Sequence, residues 1–417
     1  MTEPALHRHR DFRLLLVGQT TSQFGTQVSG IAIPLLAVVV LHAGPFEIGL
    51  LGVASTIAFA TIGLPAGAWL DGRRLRPVLV TADVVRALLL ASIPVAALLG
   101  PLSIAHLLVV SLLVGVSRVF FDLGQQSYVP ALIGRGRVLA GNSALEFVRS
   151  AGQIAGPGVG GVLVSLLGAA TVVLVDAVTF AVSALSLLAI RTNEAAPVRD
   201  QDRPHLGIRI AEGLRFVIGN RVLRVLGIAS ALSNLAFAVA SSVNVVFMVR
   251  VLGLPAAAVG VVIAIGAVGV MLGAAITPRL ARVIGSARVI WVSLAVTMPL
   301  TLLGAAARPG WLVGLLVLGA VAGELGQIVY AISALSVRQR LCPEGMLSRV
   351  NATMQVLIMG LFPLGAIVGG VLGETIGTRW TLVVSGVLLS VCPVVIAVAL
   401  RGAREVEDLE PWEARTA

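Results

Sequence analysis

GQIAGPGVGG (residues 152–161) runs without a break into VLVSLLGAATVVLV (162–175). Its ten residues hold five glycines and a proline, the two poorest helix formers. Yet they open an apolar stretch of the length a membrane span needs. Gly152, Gly156 and Gly160 recur every fourth residue and so share one bare helical face, which Gly161 widens. Such a face admits another helix backbone to backbone. Pro157 removes one helical hydrogen bond and bends the helix. A membrane tolerates this when neighbouring helices satisfy the freed carbonyl. The plainer alternative is helix packing with no directional meaning.

Part of the stretch recurs 209 residues later. Asn142 falls on Asn351, Gly156 on Gly365, residues 159–163 (VGGVL) on 368–372 (VGGVL), and Gly168 on Gly377, eight identities in 27 ungapped positions. Spans five and eleven are therefore counterparts in two parallel repeats of six spans each.

The rest of the chain fits that frame. Its 417 residues are 57% hydrophobic and 12% charged, with a mean hydropathy of +1.00. Soluble domains carry about 25% charged residues. Twelve apolar stretches stand out, at about 14–41, 47–70, 78–99, 103–126, 145–167, 169–190, 222–251, 257–277, 288–306, 311–334, 352–373 and 380–400. The short alternating segments of a membrane β-barrel are absent. The expected fold is an all-α polytopic membrane protein of twelve transmembrane helices in two pseudo-symmetric six-helix bundles. Residues 1–190 would form the first bundle and 222–400 the second. Residues 191–221 are a cytoplasmic central loop, in which Ile210, Leu214 and Val217 mark one face of an interfacial helix, and 401–417 are a cytoplasmic tail.

All the Lys and Arg positions are arginine, and the net charge is +10. Basic charge can signal nucleic acid, but here it sits in short loops between spans. Arg73, Arg74, Arg76, Arg135, Arg137, Arg279, Arg282, Arg288, Arg338, Arg340 and Arg349 fall on one side, and Arg308 and Arg379 on the other. The positive-inside rule then places both termini in the cytoplasm of a cell-membrane protein. The charged start MTEPALHRHRDFR leads into a retained first span, not a cleaved signal peptide. Cys342 and Cys392 form no disulfide or metal pattern.

The loop after span two, GAWLDGRRLRPVLV (67–80), joins Gly67, suited to close helix approach, to Asp71 and the basic residues Arg73, Arg74 and Arg76. It resembles the loop motif G-x-L-a-D-r-x-G-r-k of the major facilitator superfamily at Gly67, Asp71, Arg76 and Pro77. Trp69, Gly72 and Arg74 depart from it. The resemblance implies a conformational latch at Gly67, Asp71, Arg73 and Arg76. The counterpart loop 273–285 has Thr277 where the aspartate would stand, so no latch is expected there. Gly152, Gly156, Pro157, Gly160 and Gly161 likewise match the span-five signature of that superfamily's exporters, particularly its proton-coupled antiporters.

FRLLLVGQTTSQFG (12–25), VSRVFFDLGQQSYVPALI (116–133), VLVDAVTF (173–180) and EGLRFV (212–217) are similar to the drug:proton antiporter family 3 branch, which holds the enterobactin exporter and macrolide efflux pumps. That branch often has an acidic residue where this chain has Thr26. The resemblance implies protons and a small molecule as partners; the apolar spans imply the lipid bilayer as surroundings, the arginines in short loops speak against nucleic acid, and a monomer is the default.

Charges within spans are costly and are functional candidates by default. Asp83 and Arg86 pair at i,i+3, Arg118 and Asp122 at i,i+4, and Glu146 and Arg149 at i,i+3. A hairpin of spans four and five would merge the last two pairs into one neutral cluster, serving either as bracing or in proton exchange. Asp176 and Glu324 have no partner close in sequence. That suits a coupling site, or equally a hydrogen bond to a neighbouring helix. Phe24, Phe59, Phe120, Phe121, Phe237, Phe247 and Tyr330 are candidates to line an apolar pocket or to pack.

Nothing points to an enzyme. A P-loop needs a lysine, G-x-S-x-G and H-E-x-x-H are absent, the histidines are scattered, and no cofactor is implied. The expected function is proton-coupled export of a small amphipathic compound such as a drug, siderophore or secondary metabolite. An importer of a small metabolite or nutrient, or a non-transporting membrane scaffold or sensor, are the alternatives.

Overall fold

The computed structural model describes residues 9–70, 73–100, 102–134, 138–192, 206–342, 347–400, 402, 404–405 and 408. The first half contributes α1 (Arg10–Leu35), α2 (Pro45–Leu70), α3 (Leu75–Leu99), α4 (Ile104–Ile133), α5 (Val138–Leu167) and α6 (Ala169–Leu188). A connecting helix follows, α7 (Leu206–Gly219). The second half contributes α8 (Arg221–Val246), α9 (Ala256–Ile284), α10 (Arg288–Thr297), α11 (Leu302–Ala306), α12 (Val313–Leu341), α13 (Leu347–Gly360), α14 (Phe362–Thr375) and α15 (Thr378–Ala399). Among the described residues, twelve stretches are long and apolar enough to cross a membrane.

Two spans are broken. The ninth passes from α10 through a tight turn, Met298–Thr301, into α11. The eleventh divides into α13 and α14 at Leu361, with Pro363 in the first turn of α14, where its missing N–H leaves no bond unmade. The first span of each half ends in a five-residue π-helical turn, Leu36–Val40 and Phe247–Val251. There Leu41 N–H donates to Leu36 O at 3.2 Å, and Leu252 N–H to Phe247 O at 3.0 Å. Gly168 and Gly377, matched by the internal repeat, have φ of 80° and 85°. They make the abrupt turns into α6 and α15, where a side chain would be strained.

The helices gather into two compact units. One takes residues 1–43, 54–202 and 254–264, and the other 44–53, 203–253 and 265–417. The start of α2 thus belongs with the second half, and the start of α9 with the first. Hydropathy could not signal this exchange.

In the first unit α6 packs against both α1 and α3, α5 packs on α1, and α4 on α3. Phe12, Leu15, Leu79, Tyr128 and Leu187 fill the core between them. The arginine-rich end is tied by polar contacts. Asp11 at the start of α1 accepts from Thr192 N–H at 2.8 Å and from Arg191 N–H at 3.2 Å, just beyond α6.

The second unit repeats the scheme, with α14 and α15 on α8, and α10 between α12 and α15. Leu223, Leu226, Ile290, Val350 and Ile396 form its core. Phe216 and Val217 of α7 are buried in that core, while Leu214 is exposed and the Ile210 side chain lies outside the described residues. The buried edge of α7 is therefore a protein contact with α8 and α13. Large apolar side chains such as Leu88, Leu98, Leu166 and Leu185 point outward, as expected where the surrounding solvent is lipid. In lipid, helix association rests on close packing and hydrogen bonds, so the glycine contacts carry unusual weight.

Candidate functional site

The bare face of α5 meets α1. A Cβ on Gly160 would lie 3.1 Å from the Val28 Cα, and one on Gly156 2.4 Å from the Gln27 Cβ. Gly152 is looser, with its nearest neighbour at 3.6 Å. Gly161 faces elsewhere, toward the start of α9. A Cβ there would lie 2.7 Å from both the Gly260 Cα and the Ala256 O. Gly260 in turn presses on the Pro157 carbonyl, 2.5 Å from its own would-be Cβ.

The second unit repeats this arrangement. Gly369 packs on Val239 of α8, and Gly370 on Phe46 at the start of α2, where a Cβ on each would lie 2.7 and 2.8 Å from the respective Cα atoms. Each double glycine thus serves two helices, one per residue. Neighbouring side chains reinforce the crossings. Ser165 Oγ accepts from Ala257 N–H at 2.8 Å, and its repeat counterpart Glu374 accepts from Phe46 N–H at 3.4 Å. Both caps satisfy otherwise orphaned N–H groups in the first turn of a helix. The sequence reading missed Gly260, Ser165 and Glu374. The 209-residue offset links Ser165 to Glu374 but gives no hint of the partner helices.

At the opposite end, Asp71 and Gly72 lie outside the described residues. The Arg73 guanidinium sits over the Trp69 ring, 4.0 Å from its centroid. Arg76 Nε donates to Leu187 O at 2.9 Å, and its Nη2 to Leu188 O. It thereby caps the α6 C-terminus, where a cation is favoured. Gly67 corrects the sequence reading. Among the described residues, a Cβ there would meet only Leu123 Cδ1 at 4.0 Å, an ordinary contact, so Gly67 is not a point of close approach to them. Gly115 of α4 is one instead, since a Cβ there would lie 2.8 Å from the Ser55 carbonyl oxygen of α2. In the counterpart loop, Thr277 Oγ1 donates to Gly273 O at 2.6 Å, a bond within its own helix.

The intramembrane charges separate by burial. Arg118 and Asp122 pair at 3.3 Å, and Glu146 and Arg149 at 2.7 Å, all with well-exposed side chains. Among the described residues no ion pair joins the two, so the four-charge cluster is not formed. Glu324 is half-buried and makes no hydrogen bond or ion pair among the described residues.

Asp176 is buried and does have a local partner, contrary to the sequence reading. Thr179 Oγ1 donates to its Oδ1 at 3.0 Å. Gly25 of α1 makes the space, since a Cβ there would lie 2.2 Å from that same oxygen. Also buried is the pair Arg86–Asp83 on α3, 6% and 0% exposed. The Arg86 guanidinium lies between the Phe121 and Phe180 rings, 4.3 Å from each centroid. Phe121 is therefore a partner of Arg86, and Phe247 and Tyr330 are buried as well. Tyr330 lies 2.6 Å from Ser230 Oγ and donates to Leu226 O at 3.1 Å.

Known proteins resemble this chain along nearly its whole length. The multidrug efflux pump Tap of Mycolicibacterium fortuitum is 29% identical over 401 residues, covering 94% of this chain and 96% of that protein. The uncharacterized MFS-type transporter YfiS of Bacillus subtilis is 24% identical over 93% of each chain. Among solved structures, the nucleoside transporter NupG superposes with a TM-score of 0.77 over 94% of this chain and 100% of that one, at 15% identity. A bacterial homologue of the iron transporter ferroportin gives 0.75 over 95% and 100%, at 18% identity. These two establish the fold. The family described as transmembrane secretion effector matches residues 2–415. The chain is a membrane transporter of the major facilitator superfamily and belongs to its transmembrane secretion effector family.

Proposed function

We propose that this transporter exports small amphipathic compounds from the cytoplasm in exchange for protons, by alternating access. The observation that carries the export reading is the similarity to a multidrug efflux pump over nearly the full length of both chains. The glycine crossings support it. Alternating access requires some helix pairs to part and re-form during each cycle. Gly161 against Gly260 and Gly370 against Phe46 are contacts of bare backbone, with no interlocked side chains to pull free. They lie at the arginine-poor ends of their spans, the outer side by the positive-inside rule.

In this reading both termini are cytoplasmic, the protein works as a monomer in the cell membrane, and the two six-helix repeats are its functional halves. Arg73 and Arg76, with Asp71, form the cytoplasmic latch. The test is accumulation of a panel of fluorescent drugs and siderophores in an efflux-deficient host, with and without a protonophore. Lower accumulation of at least one compound, abolished by the protonophore, is expected. Accumulation raised by the protein would favour import and overturn the reading.

A further inference from the structure

One face of α6 carries Asp176, Phe180 and Ser183 at helical spacing, and it lies against α1 and α3. Ser183 sits beside Asp83, Phe180 against Arg86, and Asp176 within electrostatic reach of Arg86. From α1, Gly18 and Gly25 approach Ser183 and Asp176. The cluster therefore holds two carboxylates and one guanidinium, with exposures of 0%, 2% and 6% for Asp83, Asp176 and Arg86. Arg118 and Asp122 of α4 also act on Arg86, but they pair with each other and add no net charge. At this level α1 contributes Gln19, Ser22 and Ser29, all uncharged, while its Asp11 is engaged with Thr192 beyond the end of α6.

With every group ionised the cluster carries one net negative charge, buried in the span region. Uncompensated buried charge is among the costliest things a protein can hold. Asp83 Oδ1 takes the Arg86 bond, and the buried Ser183 hydroxyl is the other polar group beside the Asp83 carboxyl.

We propose that Asp83, Arg86 and Asp176 form a buried proton-binding site, in which one proton from solution lands on Asp83 Oδ2 and brings the cluster to neutrality. The new O–H has Ser183 Oγ beside it as an acceptor. Arg86, no longer balanced against an ionised Asp83, becomes the counter-ion of Asp176. No other bond is made or broken. Proton uptake thus moves the arginine's electrostatic allegiance from its own helix to α6, the helix that packs on both α1 and α3. The role of this proton in transport rests on the antiport reading above.

The charge count gives a test that needs no known substrate. Full-length protein in lipid vesicles is titrated with pH while the C=O stretch of protonated carboxyl groups is followed by infrared difference spectroscopy. Exposed carboxyl groups protonate at about pH 4 and give bands of their own; besides these, the wild type is expected to show one band that comes and goes with pH and that Glu324→Gln leaves in place. Asp83→Asn removes the proton acceptor and should abolish it. Asp176→Asn leaves Asp83 in place but makes the Asp83–Arg86 pair neutral without a proton, so the band should vanish there too. Asp122→Asn and Glu146→Gln should keep it. If Asp83→Asn does not fold, Asp176→Asn alone decides.

A band that persists in Asp176→Asn, or no such further band in the wild type, overturns the proposal. Ethidium efflux by the same vesicles separates the two readings. A band that behaves as expected, with efflux indifferent to the pH gradient, sinks antiport and leaves the site standing. Gradient-driven efflux that survives Asp176→Asn with the band unchanged does the reverse.

Discussion

Gly161 and Gly260 touch backbone to backbone, each with the other's Cα 2.7 Å from where its own Cβ would be. Neither position can take a side chain unless the helices separate. Gly161→Val or Gly260→Val should therefore destabilise the protein by about 1–3 kcal/mol, the usual range for overpacking, seen as a lower thermal midpoint in detergent. Gly30→Ala is the control. It lies in α1 with nothing within 4 Å of a built Cβ, and should gain about 0.5–1 kcal/mol from helix propensity.

Gly25 is held to glycine by polar neighbours, not by backbone. Gly25→Ala would place a methyl 2.2 Å from both Asp176 Oδ1 and Thr179 Oγ1. The expected outcome is a loss of about 1–3 kcal/mol from forced rearrangement. Thr179→Ala in the same background should recover part of it, because one of the two clashing atoms is gone. Equal stability of Gly25→Ala and wild type would contradict the α1–α6 packing described above.

Ser165 and Glu374 cap counterpart helices with different bond lengths, 2.8 and 3.4 Å. Ser165→Ala should cost about 0.5–2 kcal/mol, as cap removals do, and speed hydrogen exchange at the Ala257 amide. Glu374→Gln keeps an acceptor oxygen and should change stability less than Ser165→Ala.

The segment after α15 returns to the turn before α10. Glu405 accepts from Ser286 N–H at 2.9 Å and from Ser286 Oγ at 2.7 Å. Asp408 accepts from Arg404 N–H at 2.8 Å and Glu405 N–H at 2.9 Å. The bonds from Ser286 hold the Glu405 carboxyl below its ordinary value of 4.5, and those from Glu405 and Arg404 N–H hold Asp408 below 3.8. Groups lowered on folding stabilise above their ordinary values and lose that contribution as pH falls through the lowered ones. Docking of this segment should therefore be intact at neutral pH and weaken below about pH 4. Hydrogen exchange at the Ser286 amide, corrected for the intrinsic rate, should show protection falling on acidification. Glu405→Gln should show reduced protection already at pH 7.

Much of this architecture was legible in the residues. Twelve spans, the repeat and the double glycines were visible because hydropathy and small-residue spacing are local properties. So was the Asp83–Arg86 pair, at i,i+3 on one helix. The exchange of residues 44–53 and 254–264 between units was not visible, since it depends on which helix each glycine meets. Gly67 illustrates the same limit from the other side. Its motif suggested close packing, but whether space exists beside a glycine is a tertiary fact. The buried cluster was split by the sequence into a local pair and a lone Asp176, and only the antiparallel register of α3 and α6 unites them. The π turns at Leu36–Val40 and Phe247–Val251 have no residue signature here beyond their matching places in the two halves.

The most direct test of proton-driven export uses proteoliposomes with an acidic lumen and a trapped pH-sensitive dye. The compound added outside is the one whose cellular accumulation this transporter lowers most. Uptake of that compound accompanied by a rise in lumenal pH, both abolished by a protonophore, is the expected result. Uptake at the same rate with no gradient and no lumenal pH change would contradict antiport.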